Sequence, residues 1–600
     1  MLEPHPEPRR RTPRCLPLDF GDPAAAFGAK STRELLLAWS VFSACQIKPL
    51  VRNADALLRW SKRLLPSALV DGIVKRTFFA HFCGGETQES MRPVLNRLHE
   101  NGIGSILDYA AEDDVESADG PASRGAPHGR SVARTYLYET ERACDAHLGT
   151  FLTSIEAAGK APGQGFAAIK VTALGNTKLL ERVSSGLVAI RNLFSQFDIN
   201  KDNVIEREEF ASVYSELFTD ATPERLEGLF KYLDKDDVGV VDFLSWSRGL
   251  RLHDVPQIIK ACRAPGPLAL SALSTEELAL LEAMMNRLAR CAKAAFEANV
   301  RLMVDAEHSY FQPAIDHAAT ELQRTYNRHK PTVLNTYQCY LQDSHDRLQL
   351  DMQRARSEDW RFGAKLVRGA YMYLERDRAA KKGYPSPIWP TIEQTHANYD
   401  RCVEQLIRAV TSQGCEVMIA SHNQASIERA VALLEELDMD PGEHGVYFGQ
   451  LLGMADPLTY VLGRNGYRGY KYVPFGRVGE VLPYLIRRAQ ENSTVLGGVA
   501  QEKALVAILR LNDRLSSSRK ERLLGGTPVR CATAGGVRRV GLVFRIVKNT
   551  SAVDGGFLVL VMNFLKSTEA PLLGLQRGQV ALSMESEWVA SQNIKGPHLV

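Results

Sequence analysis

The chain has 600 residues, 45% of them hydrophobic and 24% charged, with 73 Lys and Arg against 70 Asp and Glu. That length exceeds one small core, and the composition is that of a globular protein. A net charge of +3, with no dense basic stripe, gives no argument for a nucleic-acid partner. Ten cysteines are scattered without CxxC or zinc spacing, which points to reduced thiols in an intracellular compartment.

In chain order, 1–18 ("MLEPHPEPRRRTPRC…") reads as a disordered, targeting-like segment. Its arginines suit a mitochondrial presequence, but Glu3, Glu7 and the prolines make a poor match. Region 19–104 reads as helical, with long Leu/Ala/Arg-rich runs. Its apolar stretch "LLLAWSVFSACQI" is too short for the ~20 residues that span a bilayer, as is "FLVLVMNFL" near the C-terminus. Either could touch a membrane surface.

Short apolar runs then alternate with longer helical stretches. They are "SILDYA" (105–110), "FAAIKVTAL" (166–174), "VRLMVDAE" (300–307), "TVLNTYQ" (332–338), "FGAKLVRGAY" (362–371), "EVMIASHN" (416–423), "VYFGQLLG" (446–453) and "GYKYVPFG" (469–476). Eight such units predict an α/β fold, a (β/α)8 barrel with a helical N-terminal region. The barrel would begin within 105–179, be interrupted by a Gly/Pro/Ser-rich flexible loop at 110–133, and resume over 266–525. Residues 526–600 form an atypical tail without sustained periodicity.

The strand candidates end in polar groups: Lys170, Asp305, Gln338, Lys365 to Arg368, His422 and Tyr472. Singly, each could be an ordinary solvent-facing residue. Together they suggest one site, because such barrels place active sites at the C-terminal ends of their strands. Just beyond the eighth strand, "PYLIRRAQEN" sets Arg487 beside Arg488, with Glu491 within helical reach of both. From these residues alone the pair is either a solvated ion-pair row or a clamp for an anion.

Between the second and third strands, 180–265 is too long for one crossover helix and reads as an insert. It contains "FDINKDNVIEREEF", whose spacing from Asp198 fits a calcium loop with ligands Asp198, Asn200, Asp202, Val204, Glu206 and Glu209. Asn203 stands where glycine is usual, and tolerates positive φ. The alternative is an acidic helix-capping loop. A second loop, "DKDDVGVVDFLS", begins at Asp234 but lacks the closing glutamate, so it would be a structural partner. The two would pair through Ile205 and Val241, making an EF-hand-like helical pair.

The motifs "AIKVTALG", "LMVDAE", "NTYQCYL", "FGAKLVRGAY", "IASHN", "YFGQLLGM", "YKYVPFG" and "YLIRRAQEN" occur in the order found in proline dehydrogenases. From about Asp19 to Arg522, outside the insert and the 110–133 loop, the chain resembles that family, and its animal mitochondrial members above all. The resemblance implies FAD-dependent oxidation of L-proline to Δ1-pyrroline-5-carboxylate, with electrons passed to ubiquinone. It also implies a mitochondrial location and peripheral association with the inner membrane.

By the same resemblance, Lys170, Asp305, Lys365, Tyr472, Arg487 and Arg488 are the catalytic-site residues. Arg487 and Arg488 would hold the proline carboxylate; Leu366, Tyr371, Leu451 and Tyr472 would wall the ring. Gln338, Lys365, Arg368, Gly369, Ala370, Ser421, His422 and Glu491 would hold the flavin. Family members that prefer hydroxyproline carry a smaller residue at Tyr472, so tyrosine favours proline. The remaining alternatives are a hydroxyproline-preferring enzyme and a calcium-binding scaffold on an inactive barrel.

Overall fold

The computed structural model describes residues 18–22, 27–110, 140–264, 272–442 and 445–494, together with the backbone of 529–531 and 539–541. The predicted 110–133 loop, apart from Ala110, lies outside these residues. So do most of the targeting-like segment, the end of the predicted 266–525 region beyond residue 494, and nearly all of the tail.

Strands in chain order are β1 (Ile103–Tyr109), β2 (Phe166–Ile169), β3 (Val204–Glu206), β4 (Val240–Asp242), β5 (Arg301–Val304), β6 (Val333–Gln338), β7 (Gly363–Val367), β8 (Glu416–Ala420), β9 (Val446–Leu451) and β10 (Gly469–Phe475). Eight of them, β1, β2 and β5 to β10, close into a parallel barrel in sequence order, with β10 pairing back onto β1 over the full length from Ile103↔Gly469 to Tyr109↔Phe475. All eight predicted strands are present. The second is shorter than predicted, because Val171–Ala173 turn into a 3-10 helix after Ile169.

Alternation along each strand divides its side chains between two cores. Ile106, Phe166, Ala168, Met303, Leu334, Met418, Tyr447 and Tyr470 pack together and fill the lumen. Their strand neighbours, such as Leu107, Ala167, Leu302 and Val417, pack outward against the surrounding helices. Because Phe166, Tyr447 and Tyr470 meet edge to face at 4.8 to 5.7 Å, the lumen is plugged by side chains at this level.

The helix Thr32–Cys45 buries Leu35, Ala38, Val41, Phe42 and Cys45. Val41, Cys45 and Val51 share a cluster with Tyr484, Leu485 and Ala489 of the helix Leu482–Thr494. The apolar stretch that could have touched a membrane therefore packs largely against the protein itself.

In the insert, β3 and β4 pair antiparallel with Ile205 opposite Val241. The helices Thr177–Phe197, Arg207–Leu217, Pro223–Leu233 and Phe243–Gly249 surround that ladder. Asn203 has φ +71° and Gly239 φ +87°, the left-handed backbone both loops require. The Asp198 carboxylate accepts the N–H groups of Asp202 and Asn203, each at 3.1 Å. Glu209 Oε1 accepts those of Ile199 and Asn200. These acids thus close the loop on its own backbone, and among the described residues no three Asp, Glu, His or Cys side chains converge to hold a metal. The calcium expectation for Asp198, Asn200, Asp202, Val204, Glu206 and Glu209 gains no support from this geometry.

A second unit, Arg519–Val600, contributes β11 (Val529–Cys531) and β12 (Arg539–Gly541), an antiparallel pair.

Candidate active site at the barrel mouth

The alternation that fills the lumen also selects what projects above it. Two residues beyond Ile106, Ala168 and Met303 stand Asp108, Lys170 and Asp305; Lys365 is the register partner of the luminal Met418, and Tyr472 follows Tyr470. Five strands therefore deliver a polar side chain to the same end of the lumen by period two alone. All but the half-buried Tyr472 are buried.

There they form one network. Lys365 Nζ bonds Asp305 Oδ1, and the Tyr472 hydroxyl donates to Asp305 Oδ2 at 2.9 Å. The Lys365 ammonium lies 5.6 Å from the centre of the Tyr472 ring. Asp305 is thus braced by Lys365 and Tyr472, while Lys170 lies in the fields of Asp108 and Asp305, that of Asp108 being the stronger. Burial, joined by the Arg487 charge, lowers the Lys170 ammonium against the pull of those carboxylates. Burial, reinforced by Asp305, pushes Asp108 up to about 6 although Lys170 opposes it.

Two residues beyond Asp305, Glu307 is fully buried and accepts the Thr172 N–H and hydroxyl at 3.2 and 2.7 Å. Burial pushes its carboxyl up to about 7 against those bonds and the Lys170 charge.

The helix Leu482–Thr494 lies over the mouth, and the pair that opened two readings sits on it. Arg488 is buried and Arg487 half-buried, so this is no solvated row. Their guanidinium carbons lie 5.1 and 5.9 Å from the centre of the Tyr484 ring. Arg488 Nη2 bonds Glu491 Oε1, while its buried Nε has no hydrogen-bond partner among the described residues. A buried donor left in that state matches an oxyanion ligand.

Of the predicted ring walls, Tyr371 is buried against His308, ring centres 4.3 Å apart, and Leu451 is the register partner of Tyr472. Leu366 is a correction. It follows the luminal Lys365, so it faces the other way, packing in the outer core with its register partners Tyr337 and Ile419. Tyr337 itself bonds Asp351 on an outer helix, which fixes that side as the outer one.

Of the predicted flavin residues, Lys365 belongs to the lumen network and Glu491 to the helix Leu482–Thr494, and the rest lie along the rim at the ends of β6, β7 and β8. Gln338 Nε2 donates to the Glu307 carbonyl at 2.7 Å. Arg368 is held on three sides, donating to His396 Nδ1, Ser421 Oγ and Ser426 Oγ at 2.7 to 2.9 Å, above the Tyr399 ring. Gly369 and Ala370 are exposed beside it. Gly369 has φ +134°, and a Cβ there would lie 2.4 Å from the Tyr340 ring, so only glycine leaves this backbone open to a ligand. His422 Nε2 accepts the Leu451 N–H at 3.0 Å, which requires a neutral imidazole acceptor. Packing around the ring, then Lys471 and Arg488, lower its basicity in the same direction even though the residue is exposed at the rim. A fixed cation, hydroxyls and cleared backbone suit a phosphate-bearing cofactor.

Asp108, Glu307, Thr172 and Tyr484 were not among the predicted site residues. Asp108 carried a usable signal, since it lies two places after Ile106 near the end of the first strand. Thr172 had none, because the strand was read straight through it.

A family model described as proline dehydrogenase matches residues 135–501. The chain is 39% identical over 531 residues to "Proline dehydrogenase 1, mitochondrial" of Homo sapiens, covering 82% of this chain and 88% of that one. The Bos taurus protein of the same name is 38% identical over the same shares. The Mus musculus "Hydroxyproline dehydrogenase" is 33% identical, covering 85% of this chain and 95% of its own.

Proposed function

The chain belongs to the proline dehydrogenase family, and we propose that it oxidises L-proline to Δ1-pyrroline-5-carboxylate at the mouth of the barrel. One observation carries the reading: Lys170, Arg487 and Arg488 bring three positive groups to the apolar-walled end of one lumen, where Arg488 Nε is buried without a hydrogen-bond partner among the described residues. A small anion with an apolar ring matches that arrangement.

Members of the family are flavoproteins, and FAD is the cofactor we assign, supplying the hydride acceptor when bound. Arg368, Gly369, Ala370, Ser421 and His422 would hold its polar part along the rim, with Gln338, Lys365 and Glu491 nearer the lumen. The chain's own residues do the positioning. Arg487 and Arg488 grip the substrate carboxylate from two sides, with Glu491 holding Arg488 in place. Lys170 adds charge to that grip, offset by the neighbouring Asp108 and Asp305 carboxylates. Asp305 fixes Lys365 and the Tyr472 hydroxyl, so the Tyr472 ring and Leu451 present a constant wall to the pyrrolidine ring. The reaction removes a hydride from C5 and a proton from the amine, so the amine must be uncharged when the hydride leaves.

Tyr472 fills the space that a ring hydroxyl would need, which favours proline over hydroxyproline. The relatives agree in direction, at 39% against 33% identity. A quinone-type acceptor, which we take to be ubiquinone, would reoxidise the flavin. The relatives' names support a mitochondrial location. An inactive calcium-binding scaffold is disfavoured by the joined Asp305–Lys365–Tyr472 network.

The test is the visible spectrum of the purified protein. An oxidised-flavin spectrum bleached by L-proline and not by 4-hydroxyproline is expected. Bound flavin that proline cannot reduce would overturn the proposal.

A further inference from the structure

Outward positions on the barrel strands are typically apolar and packed under helices, as at Leu107, Ala167, Leu302 and Val417. Two neighbours break that pattern. Gln450 on β9 and Lys471 on β10 are register partners, and Lys471 stands between the luminal Tyr470 and the mouth residue Tyr472, so it points outward. Yet neither meets solvent: Gln450 is 2% exposed and Lys471 0%. A lysine is almost never buried so deeply unless its ammonium is matched, because stripping water from the charge is costly.

What matches it is the turn at the barrel mouth. Lys471 Nζ donates to the Met454 carbonyl at 2.6 Å and to the Leu451 carbonyl at 3.2 Å, and lies 2.8 Å from Asp456 Oδ1. An ammonium has three donors, and these three acceptors all belong to the connection between β9 and the helix Asp456–Arg464. That connection is hard to hold. Gly453 has φ +76°, and Ala455, which carries a Cβ, has φ +51°. A left-handed alanine persists only where its surroundings fix it. Gln450 acts alongside: its Nε2 donates to the Ser421 carbonyl at 3.2 Å and its Oε1 accepts the Thr459 hydroxyl at 2.8 Å.

We propose that Lys471 is a positioning residue, acting on the site through the backbone of this turn. Leu451, whose carbonyl it holds, is the ring wall beside Tyr472, and the Leu451 N–H is the group that His422 Nε2 accepts at 3.0 Å. One buried ammonium therefore fixes the wall and, through Leu451, the contact that orients His422 at the rim. Its charge also helps to keep that imidazole the neutral acceptor the bond requires. The consequence for substrate rests on the reading of Leu451 as a wall; the hold on the turn does not. Lys30 pairs with the other oxygen of Asp456. Removing Lys30 thus unfastens the same acid while sparing the two carbonyl bonds of Lys471.

The test compares Lys471→Met with Lys30→Met in the purified, flavin-loaded full chain. Both should lower Tm. Only Lys471→Met should raise KM for proline, by about tenfold with kcat within about twofold of the wild type, because a displaced wall weakens ground and transition state alike. Amide exchange over residues 450–455, read by mass spectrometry, should quicken about tenfold in Lys471→Met and not in Lys30→Met. Lys471→Gln keeps two donors without the charge; it should fall between, and carries the test if the methionine variant does not fold. A Lys471→Met enzyme that is less stable yet keeps the wild-type KM would overturn the inference. So would equal changes in KM and exchange in the two variants, which would mean general loosening. A wild type that proline cannot reduce would instead overturn the catalytic reading, and the exchange comparison would then decide the role of Lys471.

Discussion

The Tyr472 hydroxyl reaches across the mouth from β10 to donate to Asp305 Oδ2 at 2.9 Å, at the end of β5. The other oxygen of the same carboxylate is taken by Lys365. Tyr472 is therefore held by its hydroxyl and not merely packed, so its ring is a fixed boundary of the proposed substrate space. Tyr472→Phe removes only the bond and should lower kcat/KM for proline about tenfold, a loss of ~1.4 kcal/mol. Tyr472→Ser also removes the wall, and should raise the ratio of hydroxyproline to proline efficiency by a further factor of roughly ten. Steady-state rates on both substrates check this; a ratio unmoved by serine would mean another residue sets the boundary.

Arg488 carries the prediction for substrate binding. Removing one donor from a buried carboxylate grip costs on the order of 2–5 kcal/mol, so Arg488→Ala should raise KM for proline by roughly thirtyfold or more. Arg488→Lys keeps the charge and loses the fork, and should fall between the two. Flavin content, measured alongside, should stay close to the wild type. An unchanged KM in the alanine enzyme would return the pair to a purely structural role.

How much of this was legible beforehand depends on what each residue needed. The barrel was legible because its strands are short apolar runs between long helical ones, and Lys170, Asp305, Lys365 and Tyr472 were legible as their polar ends. The face a strand residue takes was not, because that needs the strand's phase. Leu366 follows Lys365 in a recognisable motif, yet period two turns it away from the lumen into the outer core. Asp108 was overlooked for the opposite reason, since its phase, counted from Ile106, points inward. The insert's loops were legible from spacing, down to Ile205 opposite Val241 and positive φ at Asn203. Where their carboxylates turn was not, because backbone N–H groups compete for the same oxygens.

Gly369 tests the rim. At φ +134° an L side chain is strained, and its Cβ would meet the Tyr340 ring at 2.4 Å. Gly369→Ala should therefore lower the flavin-to-protein absorbance ratio of the purified enzyme severalfold. Gly383→Ala is the control, since φ is +72° there but nothing lies within 4 Å of the added Cβ. That variant should lose about 1 kcal/mol of stability and keep its flavin. If both variants lose flavin equally, the effect belongs to folding and not to the rim.

Glu307 makes the stability of the protein depend on pH in a direction opposite to that of a salt-bridged carboxylate. Burial raises its carboxyl from the usual 4.5 to about 7, so the folded chain keeps a proton that the unfolded chain has released. The stabilising contribution is therefore complete below about 4.5 and is lost as pH rises through about 7. Once both states are ionised, a rise of that size corresponds to a cost on the order of 3 kcal/mol in the fold. Glu307→Gln has no proton to lose. Calorimetry of the two proteins should give similar Tm values near pH 5 and a higher Tm for the variant near pH 8, although Thr172 exchanges a carboxylate partner for an amide. Asp108, pushed up to about 6, acts in the same direction, so some slope should persist in the variant and flatten further in the double variant Asp108→Asn, Glu307→Gln. A difference in Tm that is the same at both pH values would mean that Glu307 is already ionised throughout, and that Lys170 and Thr172 together outweigh its burial.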